Sequence, residues 1–124
     1  MANNRPLSPH LQIYRLPITG MISITHRITG VFLTVGLISF VWLLWQVKSG
    51  MLDFLAMQML LHTLPMQLLL SCFIYALIFH LCHGVRHLIW DIGQSFTREK
   101  LTYYAVIELM VVFVLTGITL VVIL

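Results

Sequence analysis

The stretch "ITGVFLTVGLISFVWLLWQV", residues 28–47, holds twenty consecutive residues without a charge. At 1.5 Å per residue a helix of that length covers about 30 Å, the thickness of a bilayer's hydrocarbon core. Working outward, the apolar block extends back to about Met21 and ends at Val47, just before Lys48. A second block runs from about Leu64 to Trp90, and a third, "YYAVIELMVVFVLTGITLVVIL", from Tyr103 to residue 124. Pro65 sits near the start of the second block, where a helix tolerates it because no hydrogen-bonded N–H is needed there. The 124 residues are 60% hydrophobic and 9% charged, with a mean hydropathy of +0.98. Soluble domains carry about 25% charged residues, so the bulk numbers and the blocks agree on a bilayer as the solvent. The runs are continuous and too few to close a barrel, which makes strands the weaker reading. The reading is an all-α membrane protein with one transmembrane domain over residues 1–124, in which three helices span about residues 21–47, 64–90 and 103–124.

The flanks fill in the topology. Lys and Arg near span ends are retained on the cytoplasmic side. A cytoplasmic N-terminus places Arg5, Arg15, Arg27, Arg86, Arg98 and Lys100 inside and only Lys48 outside. Trp42 and Trp45 then close the first span outside, while Trp90, Tyr103 and Tyr104 mark the inner interface. The net charge of +3 is accounted for by this asymmetry and does not indicate nucleic-acid binding. The first block is a full-length span with no small-residue cleavage pattern close behind it, so it does not read as a secretory signal. Residues 1–20 contain Pro6, Pro9 and Pro17, which preclude one continuous helix and suit an irregular cytoplasmic segment. "MLDFLAMQMLLH", residues 51–62, suits a short interfacial helix. Cys72 and Cys82 fall within the second span and read as small buried apolar residues, not as a disulfide. Dinucleotide and phosphate-binding glycine motifs, C-x-x-C pairs and a nucleophile elbow are all absent, so any chemistry on soluble substrates belongs to a partner.

Polarity concentrates in two places. "HLCHGVRHLIWD", residues 80–91, places His80, His83, Gly84 and His87 along one helical stripe. His80 lies six residues before Arg86, about 9 Å deeper along the helix, and therefore within the hydrocarbon. An ionisable residue in a span costs about 2.5–3.5 kcal/mol by insertion scales, so its ring requires a partner. Three readings fit His80: a neutral imidazole bonded to a neighbouring helix, one rung of a proton relay, or an axial ligand to haem. Gly84, one turn on, leaves room for a flat macrocycle, although close helix packing uses small residues too. The second place is "SITHRITG", residues 23–30, where Ser23 and Arg27 share a face with His26 alongside. A hydroxyl and a fixed cation at a membrane rim suit the polar ring of a lipid-tailed quinone. Taken alone, Arg27 is equally an anchor that snorkels to the interface, and Ser23 equally a hydroxyl bonded to its own helix. Glu108, inside the third span, reads as the partner of a basic group at the same level or as a protonated acid.

These two motifs, with "RPLSPHLQIY" at residues 5–14, make the chain similar to the cytochrome b membrane-anchor subunits of succinate dehydrogenase, respiratory complex II. The resemblance covers essentially the whole chain. It implies that His80 is one axial ligand of haem b, its iron shared with a histidine of a second hydrophobic anchor subunit. It implies that Ser23 and Arg27 bind ubiquinone, and that His26, Arg27 and His87 lie near the haem propionates. It further implies an iron–sulfur subunit and a flavoprotein subunit as partners, and a bacterial cytoplasmic (inner) membrane as the location. The chain would then be a subunit of an oxidoreductase with no catalytic residue of its own. The competing reading is a non-enzymatic helical membrane protein that moves protons or metal ions along its histidine ladder.

Overall fold

A computed structural model describes residues 15–50, 53–93 and 97–123. It contains four helices: α1 (Ile18–Lys48), α2 (Phe54–Leu61), α3 (Leu64–Asp91) and α4 (Arg98–Ile123). α1, α3 and α4 are each long and apolar enough to cross a membrane, in agreement with the three expected spans. The short α2 occupies the site expected for an interfacial helix. The motif at residues 5–14 lies outside the described residues.

The helices start and stop for local reasons. α1 begins directly after Pro17, whose extended backbone at φ −65° and ψ 154° leaves its carbonyl to accept from Gly20 and Met21 at 2.9 and 3.2 Å. This start is three residues ahead of the expected boundary at residue 21, because a proline needs no amide partner just outside a first turn. α1 ends where Gly50 adopts φ +70°, and α3 ends where Gly93 adopts φ +82°. In both cases the glycine N–H turns back onto the last turn, to Val47 and Trp90 respectively, a left-handed stop that an L side chain resists. α4 begins at Arg98, not at Tyr103. Its first turn is charged, and hydropathy alone does not register a polar helical turn outside the hydrocarbon.

α3 is the central element: it packs against both α1 and α4, which also touch one another, and α2 leans on α3. The apolar core is small, consisting of Ile22, Phe79, Ala105 and Val112, with Ile18, Ile78, Cys82 and Leu109 packed against it. Most large apolar side chains point outward, Phe113 and Val121 among the most exposed at 79% and 85%. The buried polar residues Thr29, His83, Arg86 and Glu108 lie between the helices. Such an inside-out distribution is what a lipid solvent dictates, since charges seek the bundle interior and apolar groups lose nothing by facing acyl chains. Close approach of α1 and α3 depends on Gly36, where a Cβ would stand 2.2 Å from Cε1 of Phe73. The room it leaves is filled by stacking of Phe73 on Phe32, with ring centroids 4.2 Å apart.

Cys72 and Cys82 are free thiols, as expected, but their expected burial is not found within this chain. Cys72 is exposed and Cys82 half-buried. Both lie on α3, and Cys72 faces outward, where lipid or another chain would cover it.

Candidate functional site

Histidines from two helices meet in one cluster. α3 contributes His80, His83 and His87 at the helical spacing of three and four residues, and α1 contributes His26. The His26 ring stacks on His80 with centroids 3.9 Å apart and planes 13° from parallel. It also lies 4.6 Å from the His83 ring and 5.8 Å from that of His87. His87 meets His83 edge-on at 4.8 Å and Trp90 at 4.9 Å.

His80 is half-buried and held by α1. Its Nδ1 lies 3.2 Å from the Thr29 hydroxyl, and that hydroxyl donates to the His26 carbonyl at 2.8 Å. Gly30 forms the floor beneath the ring, since a Cβ there would come within 3.1 Å of His80 Cε1. A Cβ built on Gly84, by contrast, would meet nothing within 4 Å. The backbone at Gly84 therefore borders open space on the helix that carries His80.

The neighbouring His83 belongs to a different arrangement. Its Nδ1 bonds Glu108 Oε1 on α4 at 2.8 Å, and Arg86 Nη1 donates to Glu108 Oε2 at 2.8 Å. Arg86 Nη2 also donates to the Leu101 carbonyl, and its guanidinium carbon lies 4.8 Å from the Trp90 ring centroid. All three network residues are buried, at 1%, 5% and 7% exposure for His83, Arg86 and Glu108. Glu108 thus pairs with basic groups at its own level, as anticipated. Arg86, expected on the inner side, is buried between the helices: Nη1 and Nη2 donate to a carboxylate on the facing helix and to a carbonyl near that helix's start, while its buried Nε has no partner among the described residues.

Of the residues singled out in the sequence, the structure brings His26, His80 and His87 together. Ser23 and Arg27 occupy α1 one turn or less from His26, Ser23 half-buried and Arg27 exposed. Neither makes a hydrogen bond or ion pair with another described residue. For Ser23 this is informative, because Thr25, Thr34 and Ser39 on the same helix all donate to the carbonyl four residues back. Thr29 and Gly30 were not anticipated as part of the site. Their signal lay in the quoted motif itself, since both sit within one turn of His26. A groove of about 530 Å³ lies elsewhere, between α3 and α4, lined by Cys82, Arg86, Trp90, Tyr104 and Glu108 among others. It includes none of the five proposed site residues.

Residues 1–119 match the family model for the succinate dehydrogenase/fumarate reductase transmembrane subunit. The chain is 39% identical over 97 residues to the succinate dehydrogenase cytochrome b556 subunit of Rickettsia felis, covering 77% of this chain and 73% of the relative. It is 37% identical over 97 residues to the Paracoccus denitrificans cytochrome b556 subunit, covering 78% and 75%. It is also 34% identical over 112 residues to the mitochondrial cytochrome b560 subunit of Sus scrofa, covering 89% and 66%. With a matching family model over nearly its full length and three membrane-spanning helices, this multi-pass membrane protein belongs to the family of succinate dehydrogenase/fumarate reductase transmembrane subunits.

Proposed function

We propose that this chain is the haem b-carrying membrane anchor of a succinate:ubiquinone oxidoreductase and forms part of its quinone-reduction site. The observation that carries the reading is His80: Nδ1 is tied to Thr29, Nε2 has no hydrogen-bond partner among the described residues, and the adjacent backbone at Gly84 is open. A donor nitrogen left bare beside clearance for a flat ring fits a haem axial ligand. The second axial histidine would come from another hydrophobic anchor subunit, which would cover part of the outward apolar surface. When bound, the haem supplies a one-electron redox centre beside the quinone pocket.

The other residues act around that centre. His26 and His87 flank His80 and offer ring nitrogens toward propionate carboxylates, with Arg27 adding a fixed positive charge. The Ser23 hydroxyl, unused by its own helix, donates to a quinone carbonyl. Arg27, exposed and unpaired among the described residues, stabilises the negative charge that develops on the quinone oxygen as electrons arrive from succinate, an electrostatic preorganisation. An iron–sulfur subunit delivers those electrons and a flavoprotein subunit takes them from succinate. The N-terminus lies on the cytoplasmic side of a bacterial inner membrane, where those soluble subunits dock.

The competing ladder reading has less support. No hydrogen bond joins one histidine ring to another among the described residues. No three His, Cys, Asp or Glu side chains among the described residues are set to hold a metal ion either. The test is the reduced-minus-oxidised spectrum of membranes carrying the assembled complex. His80→Ala is expected to abolish or convert the haem b bands. Bands that persist unchanged in His80→Ala but vanish in His83→Ala would overturn the assignment.

A further inference from the structure

We propose that Thr29 is a positioning residue that fixes the tautomer and the ring orientation of His80, keeping Nε2 unprotonated and available to a metal. The proposal rests on reading His80 as an axial ligand. It begins with the valence of a hydroxyl, which has one proton to give and two lone pairs with which to accept. Thr29 spends its proton on the His26 carbonyl at 2.8 Å, the usual separation for an O–H···O bond. Toward His80 Nδ1, at 3.2 Å, it is then the acceptor. The distance is at the long end for N–H···O, in keeping with the shorter contact carrying the hydroxyl proton.

A neutral imidazole carries one N–H. If Thr29 accepts from Nδ1, the proton is on Nδ1 and the Nε2 lone pair is bare, the form that binds metal ions. The opposite tautomer would place its proton where the iron must be. At 6% exposure Thr29 is shielded from solvent that could replace its acceptor. Three contacts therefore set the ring: the hydrogen bond from Nδ1, the Gly30 backbone beneath Cε1, and the His26 ring stacked 3.9 Å away. Groups that bond the far nitrogen of a metal-bound histidine orient it and raise its basicity. A more basic ligand favours oxidised over reduced iron, so Thr29 should hold the haem potential down.

The experiment uses the assembled complex in native membranes and reads haem b content per flavoprotein subunit and the haem midpoint potential by redox titration. Thr29→Val keeps the branched shape and removes the acceptor; Thr29→Ser keeps the acceptor and removes the methyl. Thr29→Val should raise the midpoint potential and weaken haem retention on washing about 10–100-fold, the usual effect of losing such a partner, and Thr29→Ser should restore both. A residue that only packs would give the reverse order, with Thr29→Val resembling the parent protein. If Thr29→Val prevents assembly, Thr29→Ala gives the same readouts with no methyl to misplace. A parental potential and haem content in the acceptor-free variant, with His80→Ala still altering the spectrum, would overturn the lock and leave the ligand reading standing. An unaltered spectrum in His80→Ala would overturn both.

Discussion

Replacing Glu108 tests how much the buried network contributes to the bundle. Its carboxylate accepts at 2.8 Å from His83 Nδ1 and at 2.8 Å from Arg86 Nη1. Glu108→Ala removes both acceptors at once. Arg86 retains the Leu101 carbonyl and the Trp90 face, but its charge loses its counterion at 5% exposure. Breaking a buried ion pair from one side costs about 3–5 kcal/mol, because the remaining charge is uncompensated. At a factor of ten per 1.4 kcal/mol, this is roughly a hundredfold or greater loss in the ratio of folded to unfolded anchor. Glu108→Gln should be nearly as severe: one of the two accepting oxygens becomes an NH2 group that cannot accept, and the counter-charge is gone. The double substitution Arg86→Leu with Glu108→Leu should recover much of the loss, since apolar replacement of both partners is often neutral. Recovery would be incomplete because His83 keeps an unbonded Nδ1, a cost of about 1–3 kcal/mol. The assay is the amount of assembled complex in membranes and its thermal inactivation midpoint in detergent. Glu108→Ala as stable as the parent protein, or a double variant no better than Glu108→Ala, would refute the reasoning.

Three further outcomes separate packing from function. Gly36→Leu should displace the Phe73 ring, which a Cβ would approach to 2.2 Å, and lower the thermal midpoint, whereas parental stability would mean the α1–α3 contact tolerates that volume. A Cβ at Gly84 meets nothing within 4 Å in this chain and Gly84→Leu gains up to about 1 kcal/mol of helix propensity, so the chain should still insert while haem b content falls; full haem content would remove Gly84 from the site. Arg27→Ala, at an exposed position without an ion pair among the described residues, should leave stability within about 0.5 kcal/mol but lower succinate:quinone turnover and raise KM for quinone. Unchanged quinone kinetics would take Arg27 out of the pocket.

The three spans were legible because their cause is one-dimensional. A chain crossing hydrocarbon must satisfy every backbone hydrogen bond within its own helix and stay apolar for about twenty residues, and both demands are written in consecutive positions. The short α2 falls within residues 51–62, where the sequence suited a short helix. Boundaries were less accurate where polar turns continue a helix beyond the hydrocarbon, as at Arg98, or where Pro17 starts one early. Helical spacing likewise placed His80, His83 and His87 on one stripe of α3. Which neighbour each ring would face was not in that spacing. His80 turns to Thr29 on α1 and His83 to Glu108 on α4, although the two are less than one turn apart. Arg86, read as one of the basic residues on the inner side, is buried against the same carboxylate. These pairings depend on how each helix is rotated about its axis and how closely it approaches the next. The rotation is reflected in packing at positions such as Gly30 and Gly36, where a missing side chain leaves room for a ring from α3. Periodicity along a single helix determines which residues share a face, and only the assembled bundle determines what that face meets.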